Sequence, residues 1–265
     1  MSLGTVLTIL SFAATVACIA SYRPKMKTNR TPLRPRFEQS LMGAALALAL
    51  AGFFLHPGIA GYVLGGLAAI PATLFLLATA TSGLSDQKLA VTVGAIAPDF
   101  VATDADGQEF KLSEHAGSPV LLKFYRGYWC PYCVAELTQL SGAAKDFAAL
   151  GVKLVAVSSD RADELHSFKR KHDWAITLVA DPSLAVHRLY NVQHRNFAPK
   201  RGPFREVSIP TTVLIDSEGR VVWLEQAADF RVRPQADVVL AKARSLLTTI
   251  EAATPVGDHC DICAA

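Results

Sequence analysis

From Gln39 to Ser85 the chain carries no Asp, Glu, Lys or Arg, and its apolar residues are not spaced to leave a polar face. A helix rises about 1.5 Å per residue and a bilayer core is about 30 Å thick, so this stretch suits two crossings. They are expected over 40–57 and 60–80, joined by the turn "HPGIAG", with Pro71 inside the second as membrane helices tolerate. A third candidate, 3–22, opens the chain. No basic residue precedes its apolar run, so it reads as an uncleaved helix rather than a secretory signal.

Beyond Asp86 the pattern changes. A linker over 86–95 leads into a domain at 96–252, where short apolar runs alternate with amphipathic ones. "APDFVATDADGQEFKLSEHAG" reads as two short strands about a turn, and "VLLKFY", "VKLVAVS" and "ITLVAD" as buried strands. "VAELTQLSGAAKDFAALG", "RADELHSFKRKHD" and "SLAVHRLY" read as helices. "TTVLIDSEGRVVWLEQ" is a hairpin turning at Ser217–Gly219, and "PQADVVLAKARSLLTTI" a closing helix. Strands separated by crossover helices predict an α/β sandwich about a central mixed sheet. Residues 253–265 show no periodicity and read as a flexible tail.

Charge refines this picture at one place. The formal net charge is +3, and it comes from residues 23–38, where Arg23, Lys25, Lys27, Arg30, Arg34 and Arg36 face only Glu38. One short basic loop beside apolar helices does not suggest nucleic-acid binding. It fits the positive-inside rule, with the loop against anionic lipid and the C-terminal domain on the same, cytoplasmic side of a bacterial cell membrane. The expected partner at this end is the lipid bilayer.

Two of the five cysteines, Cys130 and Cys133, lie in "FYRGYWCPYCVAEL", where a strand ends and a helix begins. A helix start offers unpaired N–H groups and the positive end of its dipole, which favour a thiolate. The spacing permits a dithiol that exchanges disulfides, a thiolate that attacks peroxide, or half of a metal site. Zinc would need two more ligands, and only His259, Cys260 and Cys263 offer them, all in the tail. No metal or other cofactor is therefore expected, and a metal-binding or redox-sensing module is the alternative of another class. Cys18 reads as a small buried residue of an apolar helix.

"YWCPYC" after an apolar strand and before a helix resembles the active site of the thioredoxin superfamily. "SIPTTVLID" resembles that fold's cis-proline loop, and "APDFVATDADGQEFKLSEHAG" with "PVLLKFYRG" resembles the alkyl hydroperoxide reductase and thiol-specific antioxidant (peroxiredoxin) branch. The resemblance covers about 96–250 and implies a thioredoxin-like three-layer sandwich, here preceded by about three transmembrane helices. It implies a thiol–disulfide oxidoreductase in which Cys130 is the exposed nucleophile, Cys133 resolves, and Pro210 faces the cysteines. Pro131 and Tyr132 form the inner dipeptide, and Trp129 joins the docking surface for a protein thiol or disulfide partner. Laid on the peroxiredoxin motif Pro-x-x-x-Thr-x-x-Cys, the peroxidatic position falls at Cys133. The threonine slot then holds Cys130 and the proline slot Arg126, while the family's later arginine falls near Pro210. A thiol peroxidase acting on hydroperoxide through Cys133 is therefore the runner-up.

Four further expectations concern charge and the second cysteine pair. Arg126 favours a thiolate by its charge or is a solvated strand-end residue, and Glu136 is a solvated acid of the first helical turn. The stretch 192–207, with Arg195, Lys200, Arg201 and Arg205, is a solvated loop bordering the site. Cys260 and Cys263 form a second Cys-x-x-Cys. Ten or so residues extended at about 3.3–3.6 Å each let that tail pair reach Cys130 and relay electrons.

Overall fold

The computed structural model describes residues 1–84, 87–198 and 202–253. Three helices come first: α1 (Leu3–Lys27), α2 (Arg36–Phe54) and α3 (Gly58–Ala80). All three are long and apolar enough to cross a membrane by length and composition. α1 runs past residue 22 and takes Arg23, Lys25 and Lys27 into its last turns, so the expected basic loop shortens to 28–35. Lys25 there pairs with Glu38 of α2.

The helices bury their small and polar residues and expose their large apolar ones. α1 turns Gly4, Thr8, Ser11, Thr15, Cys18 and Tyr22 inward, at spacings of three and four. α2 offers Met42, Ala45, Ala49 and Gly52, and α3 offers Gly61, Gly65, Ala68 and Ala72. Backbones approach closely at these small residues: a Cβ on Gly52 would lie 2.7 Å from the Thr8 methyl, and one on Gly65 would run into the Phe53 ring. Ser11 donates across the helices to the Ala45 carbonyl at 2.6 Å. Ile9, Leu10, Ile59, Leu67, Ile70 and Leu74 meanwhile point outward. Small-residue seams with interhelical hydrogen bonds suit helices packed in lipid.

The remaining chain builds a seven-stranded mixed sheet. Its strands are β1 (Val101–Asp104), β2 (Glu109–Lys111), β3 (Val120–Phe124), β4 (Lys153–Ser158), β5 (Thr177–Ala180), β8 (Thr211–Ile215) and β9 (Val221–Gln226), in the order β2-β1-β5-β4-β3-β8-β9. β3, β4 and β5 run parallel, joined by crossover helices, and the outer pairings are antiparallel. β6 (Gln193–Ala198) and β7 (Gly202–Ser208) form a separate two-stranded ribbon. Of the stretch expected to be a solvated loop, 193–198 and 202–207 are therefore strand, while Lys200 and Arg201 lie outside the described residues.

Alternation along β3 separates two cores, because successive side chains leave a strand on opposite faces. Leu121 joins Leu137 and Leu140 of α4 (Pro131–Gly142), Phe147 of α5 (Ala144–Ala149), Leu165 of α6 (Ala162–His172) and Val239 of α8 (Ala236–Ala253). Leu122 and Phe124 join Val186 and Tyr190 of α7 (Ala185–Tyr190), with Val91 and Phe100, on the other face. The result is the three-layer α/β sandwich. The run expected as one helix after the cysteines breaks at Ala143 into α4 and α5. The segment expected as a linker is partly built into the fold, with Val91 in the core and Gly94 donating to the Val221 carbonyl at 2.8 Å.

Candidate active site

Strand β3 carries the chain to the thiols. After it, Tyr125 continues the sheet by donating to the Val157 carbonyl at 3.0 Å, and Gly127 turns at φ +145°, a conformation that favours glycine. A Cβ there would collide with the Trp129 indole. Asp160 accepts from the Tyr128 amide at 2.9 Å and holds the turn. Cys130 is the extended N-cap of α4, and Pro131 begins the helix, where a missing N–H costs nothing. Cys133 sits in the first turn; both thiols are free and almost wholly buried, so Cys130 is not the exposed sulfur that the resemblance implied, with Trp129 and Tyr132 packed beside it.

Beneath the thiols lies a buried set of charges. Lys123, the single charge in β3, reaches Glu136 Oε1 at 2.6 Å and donates to Thr212 Oγ1 at 3.0 Å. Arg233 meets Glu136 Oε2 at 3.2 Å through Nε, and its NH2 group donates to Cys133 Sγ at 3.6 Å. All three ionic side chains are 3 % exposed or less. Glu136 is thus no solvated acid of the first turn: it is buried in the second turn of α4. It is the counter-ion that lets two cations stay buried, because an unpaired charge inside a fold is costly. Burial still lifts its carboxyl above the usual range, against the pull of Lys123 and Arg233.

The two thiols divide one proton unequally. Burial works against a Cys133 thiolate. The hydrogen bond from Cys130, the Arg233 charge and the Arg126 backbone N–H outweigh it and hold Cys133 well below the ordinary thiol range. Cys130 is pushed well above that range, first by its bond to Cys133 and then by burial. The surroundings therefore favour the thiolate on Cys133, in the first turn of the helix, whereas the resemblance implied Cys130 as the nucleophile.

Arg126 is buried rather than solvated, and its guanidinium lies 4.3 Å from the Phe230 ring centroid and 5.2 Å from that of Trp129. Trp129 and Tyr132 remain half-buried beside the thiols. Pro210 immediately precedes β8, whose Thr211 pairs with Phe124, so it stands at the same end of the sheet as Cys130. The peptide bond before Pro210 is trans, not the cis bond that the resemblance implied, since the described residues contain no cis bond. Pro210 also lines a cavity of about 390 Å³ with Lys123, Arg233, Asp229 and Leu33. His194 of β6 brings the ribbon close to the site: burial and then the Arg126 charge pull its imidazole down to about 4. Cys260 and Cys263 lie outside the described residues. Among the described residues, no cluster of three or more His, Cys, Asp or Glu is placed to hold a metal.

Sequence reasoning missed Lys123, Arg233 and the role of Glu136. A lysine inside the apolar run "VLLKFY" was a legible signal; nothing local marked Arg233, which is 100 residues from Cys133. Its guanidinium also means that the site has an arginine after all, supplied from beyond β9 rather than from the position near Pro210.

Residues 93–224 match the family described as AhpC/TSA. The chain is 34% identical over 136 residues to "Thiol-disulfide oxidoreductase ResA" of Geobacillus kaustophilus, covering 51% of this chain and 70% of that protein. It is 31% identical to the protein of the same name from Bacillus subtilis over 51% of this chain and 68% of that one. Among solved structures, the peroxidoxin BcpB of Mycobacterium tuberculosis is similar with a TM-score of 0.51 at 25% identity, over 60% of this chain and 98% of that one. Peroxiredoxin 6 of Arenicola marina shares the fold with a TM-score of 0.56 at 17% identity, over 61% and 76%. With its cysteine pair at the end of a parallel strand and the start of a helix, the chain belongs to the AhpC/TSA family of the thioredoxin superfamily and is an oxidoreductase.

Proposed function

We propose that the chain is a membrane-anchored thiol–disulfide oxidoreductase, in which the Cys130–Cys133 pair exchanges two electrons with a disulfide of a protein partner. The observation that carries this reading is the dithiol itself: two free, hydrogen-bonded sulfurs with the Arg233 guanidinium 3.6 Å from Cys133. Cys130, at the helix start, attacks one sulfur of the partner disulfide, and its proton passes to Cys133 across their hydrogen bond. The other partner sulfur leaves as a thiolate. Cys133 then gives up that proton to the leaving thiolate and attacks Cys130 in the mixed disulfide, expelling the second partner thiolate, which takes a proton from solvent. The chain ends with a Cys130–Cys133 disulfide, and the partner with two thiols and two electrons. Cys133 thus stores the charge and Cys130 uses it.

The anchor reading rests on the three apolar helices with their inverted burial. The exposed Arg23, Lys27, Arg30, Arg34 and Arg36 gather at the α1–α2 end, beside the thiol domain. By the positive-inside rule this supports our reading of the domain as cytoplasmic. The tail pair Cys260 and Cys263 is proposed as a relay to Cys130.

In the full chain with Cys133→Ser, an oxidised protein substrate should be trapped on Cys130 as an adduct released by reductant. No adduct at mildly alkaline pH would sink the reading. A second reading, thiol peroxidase, is favoured by the donors converging on Cys133. Its thiolate would attack a hydroperoxide, break the O–O bond and release an alcohol, leaving a sulfenic acid. Cys130 would condense with that acid to give the disulfide and water. Sulfenic acid at Cys133 in Cys130→Ser, formed rapidly with peroxide, would favour it.

A further inference from the structure

We infer that the N-terminal helix bundle is a working part of the thiol site, with Tyr22 and Arg231 as positioning residues that set the reactivity of Cys133. The inference rests on Cys133 as the charge-bearing sulfur of the proposed oxidoreductase.

Two contacts must coincide for Cys133 to hold its charge: its own helix α4 must stay in place, and Arg233 must be delivered to it. Both are tied to the bundle. On the helix side, the Tyr22 hydroxyl lies 3.2 Å from the Tyr132 hydroxyl, one residue before Cys133. Further along α4, Gln139 donates to the Thr28 carbonyl at 2.7 Å and accepts from Asn29 Nδ2 at 3.2 Å.

On the arginine side, the loop 227–235 is fastened at several points. Ser82, just past α3, donates to Asp229 Oδ2 at 2.7 Å, and the Phe230 amide donates to the Ser82 carbonyl at 3.1 Å. Arg231 closes a fork on Asp229, with Nε to Oδ1 at 3.1 Å and NH2 to Oδ2 at 2.7 Å. Its remaining donors go to the bundle, to the Leu33 carbonyl at 3.1 Å and the Tyr22 hydroxyl at 3.5 Å. Asn29 donates to the Pro234 carbonyl at 2.9 Å. The backbone carbonyl of Asp229 then accepts from Arg233 NH1 at 3.3 Å, and Arg233 NH2 reaches Cys133.

The path is therefore continuous: bundle, Arg231, Asp229, Arg233, thiolate. Tyr22 is the point where it meets the path through Tyr132, so a single hydroxyl on α1 ties the cysteine helix to the arginine loop. Arg231 is itself buried, which a surface clasp would not need. Loop 227–235 and residues 22–82 lie outside the 93–224 stretch that matches the family.

The test is the pH profile of Cys133 alkylation by iodoacetamide, read site by site by mass spectrometry in the full chain in lipid nanodiscs. The double variant Tyr22→Phe with Ser82→Ala removes two hydroxyls and no charge. Its Cys133 midpoint should move up, and its alkylation rate at pH 6 should fall at least threefold. Arg231→Gln should lower that rate about tenfold or more, and Arg231→Lys should restore part of it. A double-variant profile that superimposes on the parent overturns the inference. Should the double variant fail to fold, the same comparison is made with Tyr22→Phe alone. The profile reports thiol acidity and not turnover, so a parent that reduces no disulfide would refute the proposed function without deciding this question.

Discussion

The helix bundle and the thiol domain bury opposite things. The bundle hides Gly, Ala, Ser and Thr and shows Leu, Ile and Phe, whereas the domain hides Leu, Val and Phe and shows charge. The first arrangement suits helices packed in lipid and the second a domain in water. The domain then breaks its own pattern at several places, and the Lys123–Glu136–Arg233 set is the one that lies under the thiols. A buried ionic set is a poor source of stability, since well-packed apolar residues often do as well. Its position under Cys133 points to function as the reason for it.

The largest effect expected from breaking this contrast is on stability. Lys123→Met removes one cation and leaves Glu136 with less compensation, and should cost about 3–5 kcal/mol in denaturant unfolding. A double change of Lys123→Met with Glu136→Leu would recover part of that loss if pairing, and not packing, is the cause. Next comes chemistry. Arg233→Gln removes the charge that favours the Cys133 thiolate. The folded pKa of that group is depressed, so the stability it contributes is present above the ordinary thiol pKa and lost as pH falls through the depressed one. With Gln at 233 the midpoint of Cys133 alkylation should rise by about one unit or more, a tenfold loss of thiolate at pH below both midpoints. The smallest effect belongs to the bundle: Gly65→Ala forces a Cβ against the Phe53 ring and should cost about 1 kcal/mol of helix association, seen as a lower midpoint in detergent unfolding.

The same contrast explains what could be read from the chain. The bundle was legible because long uncharged apolar runs mark helices of membrane-spanning length; only the ends moved, with charged residues such as Lys25 and Glu38 taken into the terminal turns. Strands β3, β4, β5 and β8 were legible as apolar runs, and the β8–β9 hairpin by its Ser-Glu-Gly turn. The ribbon β6–β7 was not, because it lies apart from the main sheet and its sequence shows no apolar alternation. Within the site, Cys130 and Cys133 carried a local signal through strand, motif and helix. Arg233 carried none, for it acts across 100 residues of chain. Glu136 looked like any first-turn acid until the fold placed Lys123 beneath it. Local pattern reports which face is buried, and does not report which distant charge will meet there.

The central claim is that the Cys130–Cys133 pair is the redox couple. The direct measurement is a single turnover of the fully reduced chain in nanodiscs with one equivalent of an oxidised protein substrate. Acid quenching and mass spectrometry then give the pairing of every cysteine. The account predicts a Cys130–Cys133 disulfide formed in step with the reduction of one substrate disulfide. Reduction of the substrate while both sulfurs remain free thiols would contradict it.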